Sequence, residues 1–126
     1  MSIKKDAQTA HANLLEKTDP EALERINHFA FDEVQADVDL PDRTKMLSTL
    51  AYLLGMQGVD EYKVMLPVAL DNGVSPIEAK EVLYQAVDYL GLGRVFPFFK
   101  ATNDVLRARG VEMPLPSQSV TSMDNR

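Results

Sequence analysis

Three neighbouring polar side chains on one predicted helix are the first candidates for chemistry in this sequence. Tyr84 and Asp88 are spaced i, i+4, so they can share one face of the helix, and Gln85 lies between them. Asp88 interrupts an apolar run and is either a solvated residue or a pocket carboxylate whose pKa burial would raise. In a pocket, Asp88 is a candidate general acid, and Tyr84 and Gln85 are candidate substrate-binding residues.

Three side chains that carry or accept protons complete the candidate set. Arg94 follows two glycines at the start of a helix, where it can bind a carboxylate through two parallel hydrogen bonds. Lys100 can supply a second cation or a proton, and His28 is a candidate proton carrier at neutral pH. Each also has a plain structural alternative, as a solvated arginine, a surface lysine or a packing histidine. We expect any active pocket to lie between helices near Asp88 and Arg94.

The turn at residues 72–78 positions the helix that carries the first three candidates. Gly73 can adopt the left-handed conformation that closes a preceding helix. Ser75 is a favourable N-cap, Pro76 suits the first helical position, and Glu78 completes a capping box. The sequence therefore predicts that one helix ends and another begins within about three residues.

Apolar residues recur at helical spacing along the whole chain, and no segment shows the alternation of a strand. We predict an all-α fold, a compact bundle of about six helices in antiparallel hairpins. Two predicted helices share the spacing i, i+1, i+4, i+5, i+8, which favours their packing together. Their apolar positions are Met46, Leu47, Leu50, Ala51 and Leu54 on one, and Val82, Leu83, Ala86, Val87 and Leu90 on the other.

Two further helices have apolar faces that can be assigned from the same spacing. The helix from Asp19, a predicted N-cap, to about Gln35 has the predicted face Leu23, Ile26, Phe29, Ala30 and Val34. Phe31 lies off that stripe and is predicted to point towards a partner subunit or a pocket. The last helix, 95–109, follows a turn at 91–94, and its predicted buried residues are Val95, Phe96, Phe99, Val105 and Leu106.

Composition limits the possible classes of function. The chain has 126 residues, 45% of them hydrophobic, which suits one folded domain at 1–110 followed by a proline-containing tail at 111–126. A net charge of -6 disfavours nucleic acid and anionic membranes as partners, and no apolar run approaches the roughly 18 residues of a membrane span. With no signal-peptide pattern at the N-terminus, we expect a cytoplasmic protein. The chain has no cysteine and two distant histidines, so we expect no metal site.

Several segments together resemble the carboxymuconolactone decarboxylase family, which belongs to the alkylhydroperoxidase D-like superfamily. The matching segments are residues 29–34, 40–47, 68–83 and 85–91, and the Asn-Gly-Val-Ser-Pro-x-Glu unit at 72–78 is the most specific of them. The resemblance covers roughly residues 19–109. It implies an all-helical subunit that forms trimers or hexamers, needs no cofactor, and acts on a small carboxylated lactone or related organic acid.

The departures from the family pattern leave two functions open. The peroxide-reducing branch uses two cysteines, which this chain lacks, so thiol peroxidase chemistry is excluded. Met46 and Met65 stand where family members commonly carry a glutamate and a histidine, and Lys100 stands where some carry a histidine. A methionine fills a pocket but cannot transfer a proton. The chain is therefore either a decarboxylase-like enzyme or a non-catalytic ligand-binding or assembly member of the fold.

Overall fold

The computed structural model describes residues 2–116, which form six α-helices and no strand. The apolar residues that recur at helical spacing form the buried faces of these helices. The helices are α1 (Ile3–Leu15), α2 (Pro20–Ile26), α3 (Asp42–Gly55), α4 (Val59–Asp71), α5 (Pro76–Leu90) and α6 (Leu92–Ala108). A π-helix (Asn27–Val34) and a 3₁₀ turn (Gln35–Asp37) continue α2. The all-α fold predicted from the sequence is confirmed. Residues 111–116 of the predicted tail form no helix, and 117–126 lie outside the described residues.

Four helices form a closed ring around the core. Helix α3 packs against α4 and α5, and α6 packs against the same two helices from the other side. The predicted pairing of the two similarly patterned helices, α3 and α5, is therefore confirmed. Helix α1 lies outside the ring and packs against α4 and the π-helix. No helix within residues 2–116 combines the length and the apolar character needed to cross a membrane.

The centre of the ring holds one buried polar pair among apolar side chains. The hydroxyls of Tyr62 and Thr102 lie 2.7 Å apart, and both residues are fully buried. The rings of Tyr62 and Phe98 are nearly perpendicular, in an edge-to-face arrangement with a centroid distance of 5.1 Å. Burial raises the pKa of Tyr62 to about 12, although the bond to Thr102 opposes that shift. The pair thus joins α4 to α6 with no polar atom of either side chain left unbonded.

The predicted face of the second helix is confirmed at Leu23, which is buried, and at Ala30, which packs against the core. The face is wrong at its other three positions, and part of that segment is a π-helix. A π-helix bonds residue i to i+5, so a stripe drawn at 3.6 residues per turn loses register. Phe31 is buried, whereas Phe29 and Val34 are 63% and 45% exposed. Asp19 does precede the helix, but its side chain makes no capping bond.

The start of the last helix also differs from its prediction. Gly91, at φ +84°, alone separates α5 from α6, so the predicted turn at 91–94 is mostly helix. Phe98 is buried against α4, whereas Phe96 is 63% exposed. The sequence spacing of α6 allowed either phenylalanine to face inward, and the position of α4 decides which one does.

A buried histidine attaches α1 to the ring. His11 Nδ1 lies 2.7 Å from the carbonyl oxygen of Ala7, and Nε2 lies 2.7 Å from a carboxylate oxygen of Glu61 on α4. Both ring nitrogens face acceptors, so the doubly protonated imidazolium, which donates from both, satisfies the site. The Phe31 ring lies 5.4 Å from the imidazole. The bond to Glu61 is the main cause that raises the pKa of His11, against the opposing effect of burial.

We predict that this attachment makes stability depend on pH. Because the pKa of His11 is raised in the folded state, its stabilisation is complete below the ordinary value of 6.5. It is lost as the pH rises through the folded-state pKa. The free energy of unfolding of the wild type, minus that of His11→Gln, should therefore fall as the pH rises above 6.5 in denaturant titrations. A difference that stays constant over this range would contradict the protonated pair.

Candidate functional site

A groove of about 520 Å³ runs between α3 and α5 and is the leading candidate for a functional site. Most of its lining is apolar, and Ser48 and Gln85 contribute the polar side chains of the groove walls. The lining residues are Leu47, Ser48, Ala51, Leu54, Gly55, Val82, Gln85, Ala86, Tyr89 and Leu90. An apolar groove with few polar groups is typical of a site for a small molecule.

One end of the groove opens into a second, more polar hollow of about 320 Å³. Arg43, Glu78 and Glu81 line this hollow, which shares Leu47, Val82 and Gln85 with the groove. Gln85 therefore stands where the apolar and charged parts meet. Arg43 is the cation of this hollow, and beyond its ion pair with Glu78 its guanidinium has further hydrogen-bond donors beside the carboxylate of Glu81.

The charged end is fixed by a contact between two helix starts. Ser75 Oγ accepts a hydrogen bond from the Glu78 backbone N–H (3.1 Å), and Glu78 Oε1 accepts one from the Ser75 N–H (3.0 Å). The predicted capping box is therefore confirmed. The other carboxylate oxygen of Glu78 forms an ion pair with Arg43 of α3. The carboxylate thus begins α5 and also holds the guanidinium at the mouth of the groove.

Gly73 permits this contact. Its φ of +104° confirms the predicted left-handed conformation, and a Cβ at that position would lie 3.3 Å from Cβ of Arg43. A side chain here would push the turn away from the start of α3, because the β-carbon of Arg43 is held by its own helix. The turn that the sequence singles out therefore positions both α5 and the charged residue of the groove.

Of the six candidate residues predicted from the sequence, the structure places Gln85 in the groove. Tyr84, its neighbour on α5, faces the other way and packs on Phe99 of α6, with ring centroids 6.0 Å apart. The two side chains therefore serve different faces of the same helix. The predicted pocket near Asp88 and Arg94 is not where the groove lies, because neither residue lines it.

The other four candidate residues are exposed and stand apart from the groove. Asp88 is exposed, so the solvated alternative describes it in this structure. Arg94 and Lys100 are exposed on α6, and His28 is exposed on the π-helix. Within residues 2–116 no hydrogen bond or ion pair joins any two of the six candidates. The structure does not assemble them into one constellation.

The two methionines at the family's acid–base positions are part of the core. Met46 is 1% exposed and Met65 is 5% exposed, and both pack in the central cluster of apolar side chains. Their thioethers can neither give nor take a proton at neutral pH. Proton transfer by side chains at these two positions is therefore absent from this protein.

Sequence reasoning missed Arg43 and Ser48, which the structure places at the groove. The usable signal was the shared apolar spacing of α3 and α5, because it predicted the contact that creates the groove. Residues four apart on α3, such as Arg43 and Leu47, then fall along the same edge. Among residues 2–116, no cluster of three or more His, Asp or Glu side chains is suited to holding a metal ion.

Comparison with known proteins adds two similarities. A model of the carboxymuconolactone decarboxylase family matches residues 20–104, which include α2 to α5 and most of α6 but not α1. The 4-carboxymuconolactone decarboxylase of Acinetobacter baylyi is 37% identical over 67 residues. That alignment covers 53% of this chain and 50% of the relative, so the chain matches about half of that protein's length.

We predict that the two roles of Glu78 can be separated by substitution. Glu78→Gln keeps an oxygen for the Ser75 N–H and loses the charge that pairs with Arg43, whereas Glu78→Ala loses both. The first change should lower the free energy of unfolding by less than about 1 kcal/mol, because the Arg43 side chain is half exposed. The second should cost about 1 kcal/mol more through the cap. Equal losses in urea titrations would contradict this division.

Proposed function

Because the chain belongs to the carboxymuconolactone decarboxylase family, we propose that it binds a small carboxylated lactone or related organic acid between α3 and α5 and releases CO2 from it. The observation that carries the proposal is the junction at Gln85, where an apolar groove meets the charged hollow of Arg43. The apolar side suits the hydrocarbon body of such a ligand, and on the other side the Arg43 guanidinium offers its carboxylate the donors that the pair with Glu78 leaves over.

The groove supplies two of the three requirements of decarboxylation. Arg43 and the Gln85 amide offer donors for carboxylate and carbonyl oxygens, and Leu47, Leu54 and Val82 form an apolar wall. When the C–C bond to the carboxylate breaks, CO2 leaves and the electron pair moves onto the conjugated lactone carbonyl. A polar donor near that carbonyl oxygen, such as Gln85, stabilises the developing charge.

The third requirement is a proton for a carbon of the dienolate that remains after CO2 leaves. With methionine at positions 46 and 65, this proton comes from water, which reaches the groove past the exposed Ala51, Gly55 and Tyr89. When water supplies the proton, the reaction lacks the rate enhancement of general acid catalysis, which is typically about 10²–10⁴-fold. We therefore expect a slower reaction than in a relative that retains a general acid.

The buried methionines also favour a second candidate function. In that alternative the protein binds the same class of acid without converting it, or uses the fold for assembly alone. The two candidates share the groove as a binding site but differ in whether CO2 is released. Incubation with a carboxymuconolactone, with CO2 release measured alongside binding by calorimetry, separates them.

We predict that Gln85→Leu weakens binding of a carboxylated lactone about tenfold, because it removes one hydrogen bond to a charged or polarised oxygen. The control is Asn13→Leu, which also replaces an exposed amide but lies on α1, away from the groove. Calorimetric titration of wild type and both variants measures the effect. Unchanged affinity in Gln85→Leu, or equal losses in both variants, would contradict the groove as the binding site.

We also propose that the protein assembles into a symmetric trimer or hexamer. Large apolar side chains beside the groove support this proposal, because Tyr52 on α3 and Met56, the residue after α3, are each 71% exposed and Tyr89 on α5 is 84% exposed. Apolar surface of this kind usually marks an interface. The ligand groove would then lie next to a subunit boundary.

Light scattering at micromolar concentration tests the assembly. We predict a mass of three or six times the 14.0 kDa of one chain, and a lower mass for Tyr52→Glu, which places a charge on the apolar surface. The exposed Glu33→Gln on the π-helix is the control and should leave the mass unchanged. A wild-type mass of one chain would rule out the assembly.

A further inference from the structure

The face of α5 that meets α6 carries a second group of chemically active side chains. Lys80 Nζ donates to Asn103 Oδ1 at 2.6 Å and lies 5.8 Å from the centroid of the Phe99 ring. The Tyr84 ring packs on the same phenylalanine at an interplanar angle of 33°. We call Lys80, Tyr84, Phe99 and Asn103 the Lys80 cluster.

The ammonium in this cluster has no carboxylate partner within residues 2–116, although the chain carries a net charge of -6. An ammonium has three donors, and Asn103 takes one of them, so two stay available. Burial lowers the pKa of Lys80, and the positive charge of Arg107 lowers it further. Both effects disfavour the charged form of the side chain, and an anion bound beside it would oppose them.

The aromatic side chains of the cluster form a surface beside this ammonium. Tyr84 is 52% exposed, so its outer face is open to solvent, and Phe99 supports its inner face. A planar ring can stack on such a surface in an offset arrangement. Lys80 and Tyr84 are four residues apart on α5 and both contact Phe99, so the ammonium and the exposed ring lie on the same face of the helix.

We propose that the Lys80 cluster binds a small planar aromatic carboxylate, whose carboxylate accepts hydrogen bonds from Lys80 while its ring stacks on Tyr84. The bound anion supplies the missing counter-charge and takes the two unused donors. This site is separate from the α3–α5 groove, because Val82 and Gln85 line the groove whereas Lys80 and Tyr84 contact α6. It therefore does not depend on the proposed function.

Titration with benzoate tests the proposal. Wild-type protein should bind it, and Lys80→Met, which keeps an unbranched apolar stem of similar length, should weaken binding at least about tenfold. Phe99→Leu should weaken it about fivefold by removing the support of the stacking surface. Lys17→Met, the control, removes the charge of an exposed lysine on the segment after α1 and should leave benzoate affinity unchanged.

The neutral analogue benzamide and the location of the ligand complete the test. Benzamide should bind more weakly than benzoate to the wild type, and about equally to the wild type and Lys80→Met. In NMR spectra of the wild type, benzoate should shift the ring signals of Tyr84 and Phe99. Wild-type affinity in Lys80→Met would overturn the proposal. Shifts confined to the groove at Ser48 and Gln85 would also overturn it, and this result uses the wild type alone, so it does not depend on how the variants fold.

Discussion

One carboxylate holds together the part of the molecule on which the candidate site depends. Glu78 accepts a hydrogen bond from the Ser75 N–H through one oxygen and pairs with Arg43 through the other. The first contact caps the start of α5, and the second adds a half-exposed ion pair between the starts of α5 and α3, whose apolar faces pack together. Gly73 lets the preceding turn approach Arg43 closely, and the contact holds Arg43 at the charged end of the groove between these helices.

Helix α5 packs against both α3 and α6, and two distinct surfaces form along these two contacts. Towards α3 it presents Val82 and Gln85 to an apolar groove, and towards α6 it presents Lys80 and Tyr84. Residues four apart share a face, so neighbouring positions such as 84 and 85 fall on different sides of the helix. A single helix thus separates the groove of the proposed function from a cationic and aromatic surface of different chemistry.

Local chemistry in the sequence predicted the parts of the fold that local forces determine. The turn at 72–78 and the capping box could be predicted because Gly73, Ser75 and Glu78 act through their own backbone. The pairing of α3 with α5 followed from their common apolar spacing. The π-helix could not be predicted from a 3.6-residue period, and it reversed the positions of Phe29 and Phe31. Of the residues at the candidate site, Gln85 was predicted from the sequence and Arg43 was not. The spacing of residues along one helix does not specify which other helix packs against each of its faces.

A crystal structure with a carboxylated lactone bound tests most directly whether the α3–α5 groove is the ligand site. We predict that the ring of the ligand lies against Leu47 and Val82, with its carboxylate within hydrogen-bond distance of Arg43 and a second oxygen near the Gln85 amide. A ligand bound instead beside Asp88 and Arg94, with the groove empty, would contradict it.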